Sequence, residues 1–364
     1  MFNIRIEEVM GRKAPKKGIG FGHVGIELEL EWSRGLRPEF DRLQMAFSTQ
    51  HLSMHEDGSL NNGLEVVTIP FDITTVKSRE AVRHQFAQGL EMTRPDFSER
   101  ASTHVHVNVA RYTHLQLLNV VTALWIVENV LFQFCTEERR NNHFCIGFSD
   151  TGVLVERIVD AIRNGQFPRV DQDNGKYSAV NIGRVYDIGT VEIRIRECLL
   201  DADEIISWAL MLNTIVRNAA VWGITPKELI QVACEDPLAL IRALFGDFAE
   251  KAFEKLRFGE DNEPLKRNLQ LLVPLYQLDY TKDYRKGLGN ENGGIGARQR
   301  LLEQLRFVDD DIGIPEEIVE FDDLDVVQVP QEEAPRPQRP AELNINMARL
   351  DQVMDNPNPL ARPG

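Results

Sequence analysis

The chain has 364 residues, 43% of them hydrophobic and 27% charged, with a formal net charge of −15. That is ample for a sizeable core, and length alone leaves one large domain or two. The charge is uneven, since residues 309–333 hold eleven acids and no base, and the acidic balance excludes general nucleic-acid binding.

In chain order, residues 2–6 read as a strand, followed by a basic loop at 11–18. Gly20-Phe21-Gly22-His23-Val24-Gly25 fits the dinucleotide fingerprint G-x-G-x-x-G. That motif requires a strand before it and a helix after it, whereas here a strand follows, so it is rejected. The strand Gly25-Ile26-Glu27-Leu28-Glu29-Leu30-Glu31 sets Glu27, Glu29 and Glu31 on one side and Ile26, Leu28 and Leu30 on the other. A turn at 55–63, bearing Glu56 and Asp57, leads into a strand at 64–70 with Glu65. Residues 72–94 predict a polar-faced helix, and 102–110 a strand with His104, His106 and Asn108 opposite Val105, Val107 and Val109. A helix opened by a Thr cap is expected from about 113 to 139, and a shorter one at 150–165. Segments 177–184 and 190–197 read as a hairpin, the second strand setting Glu192, Arg194 and Arg196 against Val191, Ile193 and Ile195. Asp203 is the expected cap of a helix running to about 222. Further helices fill the region 223–308, interrupted by a Gly-rich segment at 287–296 that is a candidate lid. Hairpin-paired strands covered by helices make this an α+β protein built on an antiparallel sheet.

The folded body is expected to span 1–308, with 309–340 an acidic, Pro-rich disordered linker. In the tail, 341–364, Leu343, Met347, Leu350 and Met354 form one helical stripe, either a short helix that docks a protein partner or chance spacing. Cys135, Cys145, Cys198 and Cys234 lack Cys-x-x-Cys spacing and read as reduced thiols. No signal-peptide core opens the chain, and the apolar run at 115–134 is broken by Gln116, Asn119 and Glu128. A buried helix is expected there, not a membrane span, in a cytoplasmic protein.

Three carboxylates in a row repel unless a cation or water screens them. Each polar stretch has a plainer reading taken singly: a wet strand face for the glutamates, structural histidines, a cross-strand Glu192–Arg194 pair. Jointly they point to divalent cations, which take carboxylate oxygens, tolerate imidazole and keep positions for phosphates. An Arg beside such ions suits a transferring phosphoryl group.

These motifs in this order, Gly-Ile-Glu27-Leu-Glu29, then Glu56-Asp57-Gly-Ser-Leu with Gly-Leu-Glu65-Val-Val, then Thr-His104-Val-His106, then Thr-Val-Glu192-Ile-Arg194, resemble the amidoligase family. Such carboxylate–amine ligases occur in bacteria, fungi and phages, and a phage-encoded member fits the resemblance. The Tyr-Ser-Ala-Val-Asn segment at 177–181 also fits, and the resemblance covers roughly 20–220. It implies a glutamine synthetase-like catalytic domain, a partial barrel of antiparallel strands, that uses ATP and Mg²⁺ or Mn²⁺. It implies that Glu27, His104 and Glu192 hold the nucleotide's metal, while Glu29, Glu65 and Asp57 or Glu56 hold a second. Arg194 and Arg184 would contact the γ-phosphate, and with His106 they complete the candidate catalytic set. The implied reaction joins a small-molecule, peptide or protein carboxylate to an amine through an acyl phosphate. The alternatives are a phosphotransferase on the same fold, or a scaffold or virion-associated protein without turnover.

Overall fold

Strand periodicity builds a single antiparallel sheet of seven strands among the described residues. The computed structural model describes residues 1–10, 19–140, 142, 145–151, 153–169, 177–255 and 263–282. The basic loop at 11–18, the Gly-rich segment at 287–296, the linker at 309–340 and the 341–364 tail lie outside them. The strands are β1 (His23–Glu31), β2 (Leu52–His55), β3 (Gly63–Thr68), β4 (Phe71–Asp72), β5 (Ser102–Asn108), β6 (Val180–Asn181) and β7 (Thr190–Glu197). Their order is β2-β3-β1-β5-β7-β6, with β4 on the end of β1. The sheet is open, with β2 and β6 at its edges.

One face is apolar. Ile26, Leu28 and Leu30 of β1, Val105 and Val107 of β5, and Val191 and Ile193 of β7 are all buried. Helix Ala202–Val221 packs on β1 and β5, and helix His114–Phe132 on β6 and β7. The two helices also pack on each other, so the core lies between them and the sheet. Helices Val76–Thr93, Pro226–Glu235, Pro237–Phe245 and Glu263–Leu271 complete that layer.

Helix His114–Phe132 is apolar and long enough to cross a membrane by length and composition, yet 83% of that apolar window is buried inside the protein. It starts at the expected place, where Thr113 and Gln116 form a reciprocal capping box. Its end comes earlier than the expected 139. Arg140 donates Nε to the Phe132 carbonyl at 2.9 Å and Nη2 to that of Cys135 at 3.0 Å, satisfying the last turn. Its polar breaks are partnered: Asn119 Nδ2 donates to Ile224 O at 2.6 Å, and Glu128 Oε2 accepts from Phe148 N at 2.7 Å.

Three other expectations are corrected. Residues 2–6 form no strand; only Arg5 bridges Thr113, and the chain turns into helix Ile6–Met10, which buries Ile6 and Met10 one turn apart. Helix Ala202–Val221 is capped by Asp201, whose Oδ1 accepts from Glu204 N at 2.9 Å, and Asp203 lies in its first turn. The hairpin of β6 and β7 forms, but its first strand is only Val180–Asn181, and the connection is a helical turn, Val185–Ile188, closed by Gly189 at φ 79°, where a Cβ would stand 2.8 Å from that of Ala110.

The thiols fit the reduced state. All four cysteines are free, and burial pushes Cys145 up to about 12.

Glu128 gives the fold a pH dependence. Burial raises its carboxyl from 4.5 to about 8, although the Phe148 N–H opposes the shift. A raised folded-state value gives stability that is whole below the unfolded value and fades as pH climbs to the folded one. Parent and Glu128→Gln should therefore differ little in melting temperature at pH 5. At pH 9 the variant, which cannot ionise, should be the more stable by roughly 2 kcal/mol or more. An equal difference at both pH values would show that Glu128 does not titrate with folding.

Candidate active site

The other face of the sheet is polar, and register places its side chains. β1 pairs with β3 so that Glu29 lies opposite Glu65, and with β5 so that Glu27 lies opposite His104 and Gly25 opposite His106. On β5 and β7, His106 lies opposite Glu192, which in turn lies opposite Asn181 of β6. Two donor groups result. Glu27, His106 and Glu192 each offer a ligand atom within 4.8 Å of the others, and so do Glu29, Asp57 and Glu65.

In the first group, His106 Nδ1 meets Thr190 Oγ1 at 3.0 Å, which turns Nε2 toward the carboxylates. Nε2 approaches Glu27 Oε1 at 2.9 Å but off the line of a hydrogen bond, so this buried nitrogen has no hydrogen-bond partner. Asn181 Nδ2 donates to Glu192 Oε2 at 2.8 Å, and Arg194 Nη1 pairs with Glu192 Oε1.

His104 stands between the two groups. Ser102 Oγ donates to Glu29 Oε2 at 2.5 Å, so its oxygen is left to accept from His104 Nε2 at 2.6 Å. That places a proton on Nε2 and turns Nδ1 toward the carboxylates. Nδ1 lies 3.3 Å from Glu27 Oε2, 3.6 Å from Glu192 Oε1 and 3.4 Å from Arg194 Nη1. Nδ1 and the two carboxylates thus converge on one gap, which Arg194 Nη1 borders.

Electrostatics divide the two groups. Burial alone would lift Glu192, yet His106, Arg194 and His104 hold its carboxyl below the ordinary range. Glu27 is likewise held down against burial by the adjacent imidazoles of His104 and His106. Burial would lower His106, but Glu27 and Glu192 raise it. The second group has no such cation. Among the described residues no Lys or Arg is ion-paired with Glu29, Asp57 or Glu65. Burial, together with the charges of Glu27, Glu29 and Asp57, pushes Glu65 up to about 8. At neutral pH Glu65 holds a proton where a divalent ion would serve the same end.

The remaining predicted residues divide cleanly. Asp57 joins Glu29 and Glu65, whereas the exposed Glu56 turns to Arg37 at 2.8 Å. Arg184, 42% exposed, lies 3.7 Å from Asp187 on the turn before β7, and its charge reaches His106. Arg196 leaves the predicted face. Pairing of β5 with β7 slips by one residue between Thr103 and Val105, so Arg196 lies opposite Thr103 and its guanidinium sits 5.7 Å over Trp208 of the covering helix. Ser102, Thr190 and Asn181 are site residues that the sequence reading did not single out. The first two stand two positions before His104 and Glu192, so alternation alone marks them.

Residues 39–216 match the family model described as "Putative amidoligase enzyme". This segment belongs to the amidoligase family. The match carries a ligase-type function. The amidoligase segment includes Asp57, Glu65, His104, His106, Glu192 and Arg194, while Glu27 and Glu29 precede it on the strand between β3 and β5. No curated protein matches the chain.

Proposed function

We propose that this amidoligase is an ATP- and Mg²⁺-dependent carboxylate–amine ligase, its polar face the catalytic sheet of a glutamine synthetase-like fold. One observation carries the reading: two adjacent carboxylate-rich donor groups, joined through His104 and Ser102, with the Arg194 guanidinium at the first. The donors fit hard divalent ions, being mostly carboxylate oxygens with imidazole at one group. The orphaned His106 Nε2 and the protonated Glu65 are where such ions would be accommodated.

Glu27, His104, His106 and Glu192 would hold the ion that accompanies the nucleotide, and Glu29, Asp57 and Glu65 a second. When bound, Mg²⁺–ATP supplies the phosphoryl group that turns the acid's carboxylate into an acyl phosphate with release of ADP, after which the amine displaces phosphate to form the amide. Arg194 offsets negative charge beside Glu192, so that two anions can approach each other. The Glu29–Asp57–Glu65 group attracts an ammonium and can accept its proton as the amine attacks.

Hydroxylamine trapping tests this. The purified protein is given Mg²⁺, ATP, hydroxylamine and a small-molecule extract of its source cells as the pool of carboxylates. A hydroxamate formed together with ADP and phosphate is the expected result. ADP with a stable phosphorylated acceptor and no hydroxamate would make the protein a phosphotransferase. No ATP consumption would favour a scaffold that keeps the fold.

A further inference from the structure

Glu31 is the third carboxylate of β1, on the same face as Glu27 and Glu29, and the reading above gives it no task. It is only 8% exposed and belongs to neither donor group. We propose that Glu31 is a positioning residue: it clasps the turn that carries Asp57 and so holds the second donor group together. This rests on the two-ion reading of the site.

Both Glu31 oxygens are committed to donors outside the donor groups. Oε1 accepts from Asn61 N at 2.6 Å, and Oε2 accepts from Ser98 Oγ. Between them these two bonds join β1, the Asp57 turn and the segment before β5. The rest of the turn is held by further pins. Asn62 exchanges bonds with Trp32, donating Nδ2 to its carbonyl at 2.9 Å and accepting from its N–H at 3.2 Å. Arg100 Nη2 donates to Ser59 O at 2.6 Å from the other side. Inside the turn, Ser59 N donates to Asp57 Oδ1 at 2.8 Å, leaving the other carboxylate oxygen of Asp57 free. Gly63, where the turn enters β3, runs so close that a Cβ there would collide with Leu30 O and stand 2.9 Å from Glu31 Cγ. Asp57 is the only member of its donor group that does not sit on a strand, so its place depends on these pins.

The clasp and a ligand role predict different things. Gln at position 31 keeps a carbonyl oxygen for Asn61 N–H and an amide that can donate to Ser98 Oγ, but it is a poor ligand for a hard cation. Ala removes both bonds. The test titrates Mn²⁺ alone into the full chain, counting bound ions by electron paramagnetic resonance, with Asp57→Asn as the reference for losing the second ion. Two ions should bind to the parent and to Glu31→Gln. Glu31→Ala should weaken only the second ion, by about tenfold or more, as loss of an outer support does. If Glu31→Ala fails to fold, Arg100→Ala, which frees the turn from its other side, should give the same selective loss. Loss of the second ion in Glu31→Gln as well would make Glu31 a ligand and overturn the clasp. Unchanged binding in Glu31→Ala, or in Arg100→Ala where that variant is used, would overturn it too. A parent that takes up one ion or none overturns the two-ion reading itself, and the role of Glu31 falls with it.

Discussion

Glu192→Gln is expected to fold, to lose Mn²⁺–ATP affinity by a hundredfold or more and to show no measurable ligation. Glu192 is 2% exposed and draws its neighbours together: Asn181 at 2.8 Å, His104 at 3.6 Å, His106 at 4.0 Å and the Arg194 guanidinium. The amide keeps the shape and an oxygen for Asn181, so what is lost is the negative charge. Without that charge Arg194 stands inside the site with less to offset it, and the first donor group loses its most buried carboxylate. Glu192→Ala should bind equally poorly and also be less stable by about 3 kcal/mol, because a buried cation is left without its partner. Calorimetry with Mn²⁺ and a non-hydrolysable ATP analogue checks both variants. Parent-like affinity in Glu192→Gln would remove Glu192 from the metal site.

Arg194→Lys is expected to slow turnover by a hundredfold or more, about 3 kcal/mol, with much less effect on nucleotide affinity. The guanidinium is only 13% exposed, and Nη1 reaches Glu192 and His104, while Nε has no hydrogen-bond partner. A planar fork can hold Glu192 on one edge and offer its other N–H groups to a phosphoryl group, whereas a lysine is a point charge that Glu192 would draw to itself. Burial would lower the proton affinity of Arg194, but Glu192 raises it, so its charge persists at any working pH. Single-turnover ADP release measured alongside analogue binding separates rate from affinity. Equal losses in both would recast Arg194 as a residue that binds substrate and transition state alike.

The polar face was legible because strand alternation is strict. Glu27, Glu29, His104 and His106 fall on one side of β1 and β5, as the period of two requires. The Thr113 cap was legible for a similar reason, since a Thr with Gln three residues later satisfies backbone donors locally. Arg196 was misplaced because the bulge in β7 is set by pairing with β5, and a single-residue slip moves a side chain to the opposite face. The choice between Asp57 and Glu56 was equally closed to sequence. It depends on how Glu31, Arg100 and Asn62 pin the turn, and Arg37 draws Glu56 away. The short helix Ile6–Met10 escaped because its apolar residues suit either period, and tertiary burial of Ile6 and Met10 decides.

The most direct measurement of the central claim is anomalous diffraction from crystals of the full chain grown with Mn²⁺ and a non-hydrolysable ATP analogue. Two manganese peaks should appear on the polar face of the sheet, one among Glu27, His104, His106 and Glu192 and one among Glu29, Asp57 and Glu65, with the analogue's terminal phosphate beside Arg194. Manganese absent from that face, or an analogue bound elsewhere, would contradict a metal–nucleotide ligase site.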